Sequence, residues 1–130
     1  MANVIEIKTG DHRRITYKTQ DYADQAPLTA GEWTARASIA EEAGKTSIAV
    51  WTVRSITTET TTVTSDTLVV ELTLTPDVTR SLIALVAPPT KPTASRSLTM
   101  DIEITGPGVT GTEIHTHGPI DVLAVQDVTL

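Results

Sequence analysis

The stretch Leu98-Thr99-Met100-Asp101-Ile102-Glu103-Ile104 decides the fold, because its apolar and polar side chains alternate with a period of two. In a β-strand, successive side chains point to opposite faces of the sheet. One face of this segment is therefore apolar and the other polar, which is typical of a half-buried strand. Residues 33–39 and 68–74 repeat the alternation, and in the second of these Val69 is expected on the solvent side.

Five other segments are predicted as strands on weaker patterns. Residues 47–54 carry apolar side chains on both faces, which indicates either a central strand or a strand with a bulge. Residues 57–64 are rich in threonine, whose β-branched side chain favours strand over helix. The remaining three predicted strands are Val4–Lys8, Arg13–Thr19 and residues 120–125.

One segment breaks the alternation and predicts a short helix near residues 76–84. Thr75 can cap it, Pro76 suits its first position, and Asp77 suits its first turn. Val78 and Leu82 would then face the core. With about eight or nine short strands separated by turns, we expect one all-β domain over residues 1–130. An antiparallel sandwich fits best, and a small barrel is the alternative.

Composition and charge exclude several classes of protein. The chain has 130 residues, no cysteine and a formal net charge of −6. Disulfides, thiolate metal sites and cysteine nucleophiles are therefore excluded. An anionic chain without a basic run predicts no nucleic-acid partner. No apolar run reaches the roughly 20 residues that span a bilayer, so no membrane partner is predicted. The first residues do not resemble a secretion signal, and we expect synthesis in a cytoplasm.

His115 and His117 are the candidate metal ligands. Residues i and i+2 of a strand share a face, so the two imidazoles and Glu113 could approach one ion. A zinc site needs a further ligand and supporting hydrogen bonds, and the same pattern is typical of an exposed strand face. Asp101 and Glu103 are expected to point to water. No catalytic constellation is found, so the sequence predicts neither an enzyme nor a cofactor.

Candidate interface residues lie in three places. Trp51 could pack in the core or cover a subunit contact, since tryptophan is enriched in binding hot spots. Thr61 and Thr62 belong to the threonine-rich run, which could form an edge strand open to a neighbouring chain. Pro88 and Pro89 belong to a stiff, extended loop at residues 87–97.

The order of short motifs resembles a known family. These motifs are Ile5-Glu6-Ile7-Lys8, Gly10-Asp11, Leu28-Thr29-Ala30-Gly31, Leu74-Thr75-Pro76 with Thr79, the stretch at residues 98–104, and Gly118-Pro119-Ile120. The chain is similar to the small β-sandwich proteins of tailed bacteriophages, especially the N-terminal domain of baseplate upper proteins and related small tail proteins. The resemblance implies an immunoglobulin-like sandwich that acts by assembly. It also implies structural roles for the Gly-Asp turn and the Leu-Thr-Pro helix.

These observations lead to one expected function and two alternatives. We expect a non-enzymatic structural protein of a phage virion, assembled in the host cytoplasm, from the tail, the baseplate or the head–tail region. Its partners would be other virion proteins and further copies of itself. The alternatives are a capsid decoration protein and a carbohydrate- or ion-binding module that uses the face of His115 and His117.

Overall fold

A computed structural model describes residues 4–20, 30–42, 44–62, 65–83, 95–108 and 111–125. In this part of the chain, eight strands form two sheets, with one short α-helix and a 3-10 helix at Ala30–Glu32. The strands are β1 (Val4–Lys8), β2 (Arg13–Thr19), β3 (Thr34–Ala40), β4 (Ala49–Val50), β5 (Thr52–Thr62), β6 (Ser65–Leu74), β7 (Ser95–Pro107) and β8 (Thr112–Val125). The helix α1 is Pro76–Arg80. The predicted all-β sandwich is confirmed.

The two sheets differ in size. The larger has the order β1-β8-β7-β3-β4 and the smaller has the order β2-β6-β5. Every pair of neighbouring strands is antiparallel except β1 and β8, which run parallel. The first and last strands of the described chain therefore lie side by side.

The core lies between the sheets and is built from the alternating segments. The predicted inward faces of β3, β6 and β7 are buried, apart from the half-buried Ala35. Aliphatic residues supply most of the core, with two tryptophans. Its buried members are Ile7, Trp33, Ala37, Ile39, Ala49, Trp51, Leu68, Val70, Leu72, Leu74, Leu82, Leu98, Met100, Ile102, Ile104, Val122 and Ala124.

Val69 corrects one expectation of the alternation. It is only 7% exposed although its strand neighbours Leu68 and Val70 are the ones that face the core. In the register, Val69 stands between Lys18 and Thr57, which share its outward face. Lys18 extends along this face to Glu59, with 3.1 Å between Nζ and Oε2. Long side chains of this kind cover apolar surface with their methylene stems.

Residues 47–54 form two edge strands instead of one central strand. The chain belongs to the larger sheet at β4 and to the smaller sheet from Thr52 onward, and it crosses at Trp51. The Trp51 backbone N–H donates to the Ala37 carbonyl at 2.9 Å, while its ring enters the core. A register shift between Val53 and Ser55 adds an irregularity of the bulge type. This crossing explains why the sequence shows apolar residues on both faces.

The helix is shorter than predicted. It ends at Arg80, and residues 81–83 form a turn, while residue 84 lies outside the described residues. Leu82 is fully buried and Val78 packs against the core, as the helical spacing predicted. Thr79 is also fully buried. Its Oγ1 accepts from the Gly10 backbone N–H at 3.0 Å and lies 2.9 Å from the Asp11 carbonyl oxygen.

The last strand is longer than predicted. A strand was expected at residues 120–125, whereas β8 has fourteen residues and begins at Thr112. The pair Gly118-Pro119 resembles a strand end in the sequence, but the strand continues through it. The strand predicted at residues 57–64 belongs to β5, which begins earlier, at Thr52, and reaches Thr62. Residues 63–64 lie outside the described residues.

Candidate functional site

The uncovered half of strand β8 is the candidate site. Strand β7 pairs with β8 from Thr112 to Val125, whereas β1 reaches only residues 121–125. On the β1 side, no strand of the described chain covers residues 112–117. We call these six residues the open edge of β8, and we call residues 121–125 its covered half.

A β-bulge separates the two halves. Met100 pairs with Ile120 but Ile102 pairs with His117, so two residues of β8 oppose the single residue Asp101. An extra residue of this kind reverses which side chains face the core. Even-numbered residues such as Val122 are buried in the covered half. In the open edge, the odd-numbered residues lie on the core side.

Glycine is required within this bulge. Gly118 has a φ of 146°, in a region that residues with a Cβ rarely adopt. A Cβ placed there would lie 3.0 Å from the Met100 carbonyl oxygen and 3.0 Å from the Asp101 Cβ. A side chain at this position would therefore crowd β7, and its neighbours would have to shift by a few tenths of an ångström.

The hydrogen-bond pattern of the β7–β8 hairpin shows where the open edge points. The Gly108 N–H donates to the Gly111 carbonyl at 2.6 Å. Gly108 and Gly111 are therefore a hydrogen-bonded pair. Bonded and non-bonded pairs alternate along an antiparallel ladder, so the next pair, Pro107 with Thr112, is non-bonded and the one after it, Gly106 with Glu113, is bonded. The backbone groups of Glu113, His115 and His117 are therefore directed at β7. Those of Thr112, Ile114 and Thr116 are directed at the side that β1 leaves uncovered.

The core side of the open edge carries polar side chains. The register aligns Glu113, His115 and His117 with Gly106, Ile104 and Ile102, so the three share one face. His115 Nε2 lies 3.1 Å from Glu113 Oε1, and both side chains are partly exposed. The two predicted metal candidates are therefore on a common face, as the i,i+2 spacing indicates.

His117 has a different neighbour, which the sequence did not indicate. Its Nδ1 lies 2.9 Å from the Tyr17 hydroxyl, and the two rings meet edge to face with 5.5 Å between centroids. Tyr17 belongs to β2, so this hydrogen bond joins the smaller sheet to the larger one. Within the part of the chain that the structure describes, no three His, Asp or Glu side chains are arranged so that they could hold one metal ion.

The predicted interface residues have mixed outcomes. Trp51 is 3% exposed, so its ring belongs to the core and presents almost no surface to a partner. Its Nε1 is buried and meets no acceptor in the described chain. Thr61 and Thr62 lie in β5, but their side chains are not described. Pro88 and Pro89 lie outside the described residues.

Exposed apolar side chains are a feature that sequence reasoning missed. Ile114 is 63% exposed, Val4 is 56% exposed and Val50 is 55% exposed. All three belong to the larger sheet and point away from the core, and Ile48 beside β4 is 36% exposed. The signal was present at Ile114, an isoleucine between Glu113 and His115 in an otherwise polar segment.

No protein-family model, curated protein or solved structure matches this chain. No helix among the described residues is long and apolar enough to cross a membrane. The functional argument therefore rests on the geometry of the sandwich and on the sequence motifs.

Proposed function

We propose that this chain is a non-enzymatic structural protein of a tailed-phage virion. It acts by assembling with further copies of itself and with other virion proteins, in the tail, the baseplate or the head–tail region. It takes up this position in the virion after synthesis in the host cytoplasm. The motif order described above supports the phage assignment, and the open edge of β8 supports action by assembly.

The open edge is the single observation that carries the assembly proposal. An edge strand presents N–H and C=O groups that another chain can pair with, and proteins usually protect such strands with lysine, proline or a bulge. Residues 112–117 contain neither lysine nor proline. The exposed Ile114 lies in the middle of this segment. A site with this combination is suited to adding a strand from a neighbouring molecule.

The order of the strands supports the immunoglobulin-like type that the resemblance implies. Constant-type immunoglobulin domains place their third, sixth and seventh strands in one sheet and their first, second, fifth and fourth in the other. With β4 counted as an addition, β3, β7 and β8 correspond to the first group, and β2, β6 and β5 correspond to three strands of the second. Strand β1 departs from this order, because it lies in the larger sheet beside β8. The added edge strand β4 corresponds to the extension that variable-type domains carry.

The test is the copy number of this chain in purified particles of the phage that encodes it. Quantitative mass spectrometry against the major capsid protein is expected to find a few to a few dozen copies, as for a tail-tip, baseplate or connector component. Hundreds of copies would instead indicate capsid decoration or association with the tail tube. Absence from the particle contradicts the virion proposal.

An ion-binding module is the second candidate, because Glu113, His115 and His117 share a face. The contacts argue against it, since His115 lies against Glu113 while His117 lies against Tyr17. Calorimetric titration with zinc separates the two functions. Stoichiometric heat that disappears in His115→Ala would favour the module, and absence of heat would rule out zinc binding.

A further inference from the structure

We infer that the open edge of β8 pairs with the open edge of a second copy of this chain. The two strands run antiparallel about a two-fold axis that passes beside Ile114. The inference names the partner of the site described above and rests on the proposed function of self-assembly. It follows from the direction of the backbone groups, the order of the side chains and the limits of the strand.

The backbone groups permit this arrangement. Thr112, Ile114 and Thr116 direct their N–H and C=O groups away from β7, as the hairpin ladder requires. With Ile114 at the axis, it pairs with Ile114 of the second copy, and Thr112 pairs with Thr116. Each of these is a pair that exchanges two hydrogen bonds. The two five-stranded sheets then join into one continuous sheet.

The side chains are complementary in the same register. On the outer face, Ile114 lies directly opposite Ile114 of the second copy. Ile114 is the most exposed of the large apolar side chains in the described chain. On the core side, Glu113 stands opposite His115 of the second copy, and the symmetry repeats this contact. Cross-strand pairs of these kinds stabilise a sheet. An isologous interface needs a surface that is complementary to itself. The open edge of β8 meets this requirement.

The neighbouring register is less favourable. Moving the axis to His115 places two imidazoles opposite each other, and it sets Ile114 against Thr116. The apolar contact at the axis is lost, and Glu113 lies opposite His117 of the second copy, whose Nδ1 already lies 2.9 Å from the Tyr17 hydroxyl. The axis at Ile114 is therefore the register that the side chains select.

The ends of the segment limit the pairing to this length. Gly118-Pro119 lies in the bulge at one end, and proline has no N–H to donate. Strand β1 occupies the same side of β8 from Asp121 onward. A second strand can thus reach the open edge but cannot continue along the covered half.

A cysteine cross-link tests the register directly, because the chain has no native cysteine. In Ile114→Cys, the two Cα atoms at the axis should lie about 5.5 Å apart, within the range that a disulfide spans. In Thr116→Cys, the matched control, they should lie about 13 Å apart or more, which is too far. Mild oxidation should give a covalent dimer of the first variant only.

Charge exchange tests the side-chain contacts. Glu113→Lys places a cation opposite His115 of the second copy and should weaken the dimer about tenfold, measured by sedimentation equilibrium. The double variant with Glu113→Lys and His115→Glu restores opposite charges and should recover most of the affinity. Val50→Thr, which removes an exposed apolar side chain elsewhere on the larger sheet, should leave the affinity unchanged.

The outcomes separate this inference from the proposed function. A wild-type chain that sediments as a monomer at high concentration overturns the inference, as does a dimer in which Thr116→Cys cross-links and Ile114→Cys does not. If the monomeric chain is still found in virions, the structural role stands and another surface carries it. A dimeric chain that is absent from virions leaves the self-pairing intact and contradicts the virion role.

Discussion

The two halves of strand β8 differ although they belong to one continuous strand along β7. In the covered half, Val122 and Ala124 are 1% and 0% exposed, and strands flank it on both sides. On the core side of the open edge, Glu113 and His117 are half-buried and His115 is exposed, and β7 is the only strand of the described chain beside them. The core side of β8 is therefore aliphatic and buried where two strands flank it, and polar and partly exposed where one edge is open.

The smaller sheet contributes to the same difference. Strand β2 faces the open edge, and at His117 it presents Tyr17, whose hydroxyl forms a hydrogen bond. The covered half contributes aliphatic side chains to the common core instead. The open edge therefore has polar groups near the surface, where a partner can reach them. The covered half excludes water and stabilises the fold.

The largest effect is expected from placing the same charged residue in each half. Val122→Asp buries a carboxylate in the core and should destabilise the chain by about 4 kcal/mol or more, or prevent folding. In the monomer, at low protein concentration, Ile114→Asp makes the equivalent change at an exposed site and should cost at most about 1 kcal/mol. Urea denaturation followed by tryptophan fluorescence measures both. Equal losses would contradict the placement of Val122 in the core and of Ile114 on the exposed face.

A smaller effect is expected at the bulge that separates the halves. Gly118→Ala forces a Cβ against the β7 backbone at an unfavourable φ and should destabilise the fold by about 2–3 kcal/mol. Gly111→Ala is the matched control, because Gly111 also has a positive φ but has nothing within 4 Å of the added atom. The excess loss at Gly118, measured by thermal denaturation, reports the close approach. Similar losses would show that φ alone matters.

The smallest effect is expected at the contact that fixes the end of β1. Thr79→Val keeps the shape of the side chain but leaves the Gly10 N–H without its acceptor, and should cost about 1–2 kcal/mol. Because β1 flanks only the covered half, hydrogen exchange should become faster in β1 and at residues 121–125. Exchange at residues 112–117 should not change. Faster exchange in both halves would mean that Thr79 supports the whole sheet.

Much of the fold could be predicted from local patterns. Alternation identified β3, β6 and β7 with their inward faces, because one side of each strand meets the core and the other meets water. The helix was found from Thr75, Pro76 and Asp77, although its end was placed too late. The crossing at Trp51 could not be predicted, since a strand that changes sheets turns its apolar residues to both sides. Only the pairing partners show where the change occurs.

The candidate site was predicted only in part. The i,i+2 spacing placed His115 and His117 on one face, but Tyr17 is 100 residues away from His117 in the chain. Sequence patterns report neighbours along a strand and do not report contacts between sheets. The open edge of β8 was missed for a similar reason, since it depends on where β1 ends.

The amino-acid sequence by itself determined the class of fold, because the alternation of apolar and polar residues has the period of a half-buried strand. It also excluded thiol chemistry, because the chain has no cysteine. The tertiary structure decided which strand edges are covered. That property depends on the lengths of non-local partners: β1 pairs with five residues of β8 and leaves the other half of the strand open. No local pattern carries this information, since the paired residues of β1 and β8 lie more than a hundred residues apart in the chain.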